Sequence, residues 1–89
     1  MVRVQFTTVL KNFFPDLKEE VIEASDISEL ISKINYKYPG IRDYLLDETG
    51  KIRGHVSLFI NNELLPRHSL GQPLKPRNTV LIYQAISGG

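Results

Sequence analysis

The chain has no cysteine among its 89 residues, which excludes disulfide scaffolding, thiolate catalysis and cysteine-based zinc ligation together. Any sulfur chemistry must therefore be imported. Charge of one sign is also lacking: 11 Lys and Arg stand against 10 Asp and Glu, mixed along the chain, for a net charge of +1. That balance gives no electrostatic footprint of a dedicated nucleic-acid or membrane binder. No apolar run is long enough to span a bilayer, and Met1-Val2-Arg3-Val4 opens directly into alternating residues instead of an apolar leader, so a cytoplasmic location is expected. His55 and His68 are the only histidines. No carboxylate pair has the spacing of a metal or acid-base site, so both histidines read as solvated surface groups, with neither bound metal nor bound cofactor expected. Repeats, low-complexity tracts and linkers are absent as well.

What is present is an ordinary globular composition, 42% hydrophobic and 24% charged, in a length that allows one domain with a modest core. Residues 2–10 alternate, with Val2, Val4, Phe6, Thr8 and Leu10 on one face, the period of a half-buried strand. Asn12, Pro15 and Asp16 break the pattern, and residues 20–24 return as a short strand, making a loose hairpin. Asp26 followed by Glu29 resembles a capping box, and Ile27, Leu30, Ile31, Ile34 and Tyr38 form one apolar helical stripe that Pro39-Gly40 terminates. Residues 41–46 suit one further helical turn, and Asp47-Glu48-Thr49-Gly50 a tight connection. Val56, Leu58 and Ile60 alternate in the next strand, Asn61-Asn62 suits a hairpin turn, and Pro66 limits the return strand to an edge. Residues 79–85 form the last strand.

The order is β-β-α-β-β-β. Placing the first and last strands side by side and parallel at the sheet centre lets the helix cover one face and keeps both edges short. The expected fold is α+β, a β-grasp or ubiquitin-like arrangement: a mixed sheet of about five strands with one main helix across one face. Residues 1–86 are expected to form a single domain, with 87–89 as a flexible tail.

The tail ends in Gly88-Gly89. Glycine has no side chain to obstruct an enclosing active site, so the terminal carboxylate itself reads as the reactive group and the rest of the chain as its handle. Lys37-Tyr38-Pro39-Gly40, Asp47-Glu48-Thr49-Gly50, Leu58-Phe59-Ile60-Asn61-Asn62 and Ser87-Gly88-Gly89, taken in that order, resemble the ubiquitin-like sulfur carriers. Among these the resemblance is to the small subunit of molybdopterin synthase, because residues 41–54 make the chain longer than the thiazole-pathway carriers. Asn62 stands where many members have glycine.

The resemblance implies a non-catalytic cosubstrate with no bound cofactor. An E1-like adenylating enzyme would use ATP to activate the Gly89 carboxylate, and sulfur from a donor such as a cysteine desulfurase would convert it to a thiocarboxylate. The large subunit of molybdopterin synthase would receive that sulfur in molybdenum or tungsten cofactor biosynthesis. Gly88 would provide clearance. Alternatives within the resemblance are a modifier conjugated through Gly89 to target lysines, and a carrier for thiamine thiazole or tRNA thiolation; outside it stands a plain interaction domain. Alignment with ubiquitin by the diglycine puts Val80 and Ile82 inward and leaves Leu81 and Tyr83, with Phe59 of matching parity, exposed on the outer sheet face. These three, with Ile86 and Ser87 of the tail, are the expected partner contacts of a chain that is monomeric when free. A lysine near the tail contributes to interfaces in the synthase small subunits; Lys75 is the nearest here, and that role is not transferred to it.

Overall fold

The computed structural model describes residues 1–84. Its elements run β1 (Val2–Phe6), α1 (Thr8–Lys11), β2 (Glu20–Ile22), α2 (Ile27–Lys37), α3 (Ile41–Leu45), β3 (Val56–Ile60), β4 (Glu63–Leu64) and β5 (Thr79–Gln84). The five strands form one sheet in the order β2-β1-β5-β3-β4. β1 and β5 are parallel at the centre, and the other pairs are antiparallel. This is the β-grasp arrangement, with α2 as the main helix.

The helix begins where the capping pattern places it. Asp26 accepts a hydrogen bond from the Glu29 amide at 2.8 Å, while Glu29 reaches back one residue further than the usual box, accepting from the Ser25 amide at 2.6 Å. It ends at Tyr38, and Gly40 takes a left-handed φ of 97° that a residue with a β-carbon adopts at a cost. The Asn35 side chain accepts from the amides of Gly40 and Arg42, joining α2 to α3. Ile27, Leu30, Ile31 and Ile34 form one core with Val2 and Val4 of β1, Val56 and Leu58 of β3, and Val80 and Ile82 of β5. Burial of each such side chain contributes about 1.5–3 kcal/mol. One carboxylate shares this interior: Glu20 of β2 accepts from Lys37 Nζ at 2.7 Å and from the Tyr38 hydroxyl at 2.5 Å, tying an edge strand to the end of α2. The Lys37 and Tyr38 hydrogen bonds hold its carboxyl below the ordinary value, whereas burial and that carboxylate push the Tyr38 hydroxyl up.

One expected strand is shorter than its sequence pattern. β1 stops at Phe6, and the chain turns into α1, burying Leu10 completely. The reason is pairing: β2 offers partners only to Val2, Arg3 and Val4, so a strand continuing to residue 10 would run without a neighbour on that side. Leu10 and Phe14, four residues apart, reach the core from a helical turn instead. β2 likewise ends at Ile22, and β5 is described to Gln84.

Candidate functional site

β5 delivers the chain toward its C-terminus from the middle of the sheet, and its two faces differ. Val80 and Ile82 are 0% exposed beneath α2, while Tyr83, on the other face, is 42% exposed. The register lines up a row across four strands on that outer face: Gln5 opposite Leu81, Leu81 opposite Phe59, and Phe59 opposite Leu64. Tyr83 lies beside it, opposite Ser57.

Phe59 and Leu81 are half-buried and Tyr83 is exposed. The expectation of three open apolar side chains therefore holds fully for Tyr83 only, because the directly paired Phe59 and Leu81 share a flank. Leu64, at 63% exposure, extends the row and was missed by the sequence reading. The signal for it was available: a two-residue turn at Asn61-Asn62 pairs Ile60 with Glu63, which forces Leu64 opposite Phe59. Both asparagines adopt left-handed φ, 48° and 74°. Asn61 is tied to the start of β5, donating its amide to Thr79 O and accepting from Thr79 N, each at 2.9 Å. The row is flanked by polar groups on β1: Arg3 pairs with Glu19 at 3.5 Å, and Gln5 donates to Glu19 at 3.0 Å. An apolar strip with a polar border is the form of a protein-binding patch.

At the exit of β5, Thr7 anchors the strand from β1: its amide donates to Ile82 O at 3.2 Å, and its hydroxyl accepts from the Gln84 amide at 3.1 Å. Ile86, Ser87, Gly88 and Gly89 lie outside the described residues. Lys75 precedes β5 and so sits at the end of the strand remote from Gln84. His55 and His68 are both exposed. Among the described residues, no group of three His, Cys, Asp or Glu side chains is placed to hold a metal ion, and no helix is long and apolar enough to cross a membrane.

A parallel central strand pair, a single long helix across one face and an apolar strip on the other define a ubiquitin-like domain. More particularly, the chain belongs to the ThiS family, whose sequence profile matches residues 4–89; its members are ubiquitin-like sulfur carriers, which are generally non-catalytic. No curated protein sequence matches the chain significantly. Solved structures share the fold across nearly its whole length. A chain of the BexX/CysO complex of Amycolatopsis orientalis is 23% identical, with 100% of both chains covered and a TM-score of 0.86. CysO of Mycobacterium tuberculosis is 24% identical, with 97% of this chain and 100% of that one covered and a TM-score of 0.83. The small archaeal modifier protein 1 of Methanosarcina acetivorans is 22% identical, with 99% and 95% covered and a TM-score of 0.76.

Proposed function

We propose that this chain is a sulfur carrier that works through the carboxylate of Gly89. The observation that carries the reading is the family match, which continues through Gly88-Gly89; the outer sheet face beside β5 supplies the handle. A terminal carboxyl, with a pKa of about 3.3–3.7, is an anion near neutral pH and resists nucleophiles. An E1-like enzyme would join it to the α-phosphate of ATP, releasing pyrophosphate. A sulfur nucleophile would then attack the carbonyl carbon, and AMP would leave with the electron pair of the broken C–O bond. When the nucleophile is the terminal sulfur of a persulfide, as a cysteine desulfurase carries, the product is an acyl disulfide; a second thiol of the donor system then attacks the donor's sulfur, breaking the S–S bond to leave a thiocarboxylate on Gly89 and a disulfide on the donor, while Gly88 gives clearance inside the enclosing pocket. Ordering each tail residue costs about 1–2 kcal/mol, which contacts of Tyr83, Leu81, Phe59 and Leu64 with the enzyme would offset, together with Ile86 and Ser87 of the tail.

The finer reading is the small subunit of molybdopterin synthase, with the large subunit as sulfur acceptor. Its support is the run of motifs from Lys37 to Asn62. The length of residues 41–54, which form α3 and the Asp47 turn, does not separate this branch from CysO, since chains of that kind overlay on the full length. A second reading, conjugation through Gly89 to lysines of target proteins, is favoured by the likeness in fold to a protein named as a small archaeal modifier.

Intact mass after incubation with ATP, an E1-like enzyme and a sulfur donor separates these readings. Replacement of one oxygen by sulfur at the C-terminus supports the carrier, and consumption of that species by a molybdopterin synthase large subunit supports the finer reading. Lysine-linked adducts support the modifier. An unchanged mass for the wild type, or equal modification of a chain lacking Gly89, contradicts all three.

A further inference from the structure

The start of β5 carries a second surface, at the end of the strand remote from Gln84. Lys75 to Asn78 form the turn that enters the strand: the Asn78 amide donates to Lys75 O at 3.1 Å, and the Asn78 side chain accepts from the Lys75 amide at 2.7 Å. The third residue of that turn, Arg77, adopts a left-handed φ of 74°. Such a position, following Pro76, suits glycine. Among the described residues the other two with side chains and left-handed φ are Asn61 and Asn62, and asparagine tolerates that conformation better than arginine does. Arg77 is held there by its surroundings, since its amide donates to Met1 O and the Arg3 amide donates to Asn78 O, each at 3.0 Å. Among the described residues Arg77 has no carboxylate within ion-pair distance, and Arg3 pairs through Nε with Glu19 at 3.5 Å. The two arginines line one open cleft of about 330 Å³ with Met1, Val21, Asn78 and Thr79. No carboxylate lines it. Met1 and Val21 are 65% and 58% exposed, giving the cleft an apolar wall beside its two guanidinium groups.

We infer that this cleft docks an extended segment of a partner protein in which a carboxylate stands beside an apolar side chain, the carboxylate between Arg3 and Arg77 and the apolar group against Met1 and Val21. Charge complementarity selects that occupant. A guanidinium fork matches the two oxygens of a carboxylate, and the lining supplies no anion of its own. The contact also accounts for an arginine in a turn position that folding alone would fill better with glycine. β5 runs from Thr79 at this cleft to Gln84, a distance of about 17 Å, so a partner seated here leaves Tyr83 and the exit of the tail open to a second protein. The inference goes beyond the carrier reading and does not depend on it.

The probe is a blocked Leu-Glu-Leu tripeptide, titrated into the isotope-labelled full chain and followed by amide chemical shifts, with its Leu-Gln-Leu counterpart and inorganic phosphate as comparisons. Saturable shifts centred on residues 1–3, 21 and 77–79 are expected, with a Kd of about 1 mM that rises as salt is added. The Gln counterpart and the variant Arg77→Asn are each expected to weaken binding about ten-fold. Arg77→Asn keeps a residue that tolerates the turn, so its melting temperature should stay at or above that of wild type. Arg77→Lys, which retains the charge without the fork, should bind with intermediate affinity. Absence of saturable shifts, or shifts centred on Phe59, Leu81 and Tyr83, overturns the inference. Equal binding of the Gln counterpart overturns the part of the carboxylate, and equal shifts with phosphate reduce the cleft to a general anion site and overturn the peptide dock. An Arg77→Asn variant that melts lower and binds the peptide as wild type does makes the arginine a structural residue, which also overturns it.

Discussion

The two faces of β5 are made from alternate residues of one apolar run, yet they are covered differently. Val80 and Ile82 are sealed under α2, while Leu81 is half-buried and Tyr83 exposed. Residue type does not distinguish them; cover does, because the chain supplies one long helix and places it on one side. The lesson concerns small single-layer sheets. Apolar side chains on an uncovered face beside a central strand add less to folding than those sealed beneath the helix, and they are the surface that the proposed activating enzyme would bury.

The sharpest way to break this contrast is to truncate both faces. Ile82→Ala should cost about 2–5 kcal/mol of unfolding free energy, the range for a fully buried isoleucine, and Leu81→Ala less than about 1 kcal/mol. Urea denaturation measures both, and equal losses would make the outer face structural. A smaller effect sits at the polar clamp on the covered side. Glu20→Gln should cost about 1.5 kcal/mol at neutral pH by weakening two hydrogen bonds to a charged acceptor. Because the Glu20 carboxyl is held below its ordinary value of 4.5, its contribution is fully present above that value and is lost as pH falls through the folded-state value. Melting temperatures of Glu20→Gln and wild type should therefore converge on the acid side; a gap that persists at low pH would show that the charge is not what matters. The smallest effect is on the outer side. Asn62→Gly relieves a left-handed residue in the turn that sets Leu64 opposite Phe59, and should stabilise by less than about 1 kcal/mol, with unchanged half-saturation in adenylation. Weakened adenylation would place the Asn62 side chain in the interface.

Most of the fold was legible because its signals are local. The Asp26 cap, the Ile27 to Ile34 stripe, the Gly40 stop and the Asn61-Asn62 turn each depend on a few neighbouring residues, and each is where the pattern puts it. Residues 7–10 were not legible. Their alternation mimics a strand, and what ends β1 at Phe6 is the shortness of β2, a fact of pairing that is not visible from the residues of β1. The outer face was legible in parity but not in exposure. Phe59 and Leu81 shelter each other across the β3–β5 pair, and Leu64 joins them through hairpin register.

The central claim is that the outer face of β5 serves the chemistry of Gly89 and not the stability of the fold. Tyr83→Asp tests it most directly, with a melting curve and an adenylation titration on the same sample. The account predicts a melting temperature close to that of wild type and a half-saturating concentration raised at least about ten-fold, since a desolvated aromatic anchor would be replaced by a charge. A variant that melts like wild type and is adenylated at the same carrier concentration would contradict it.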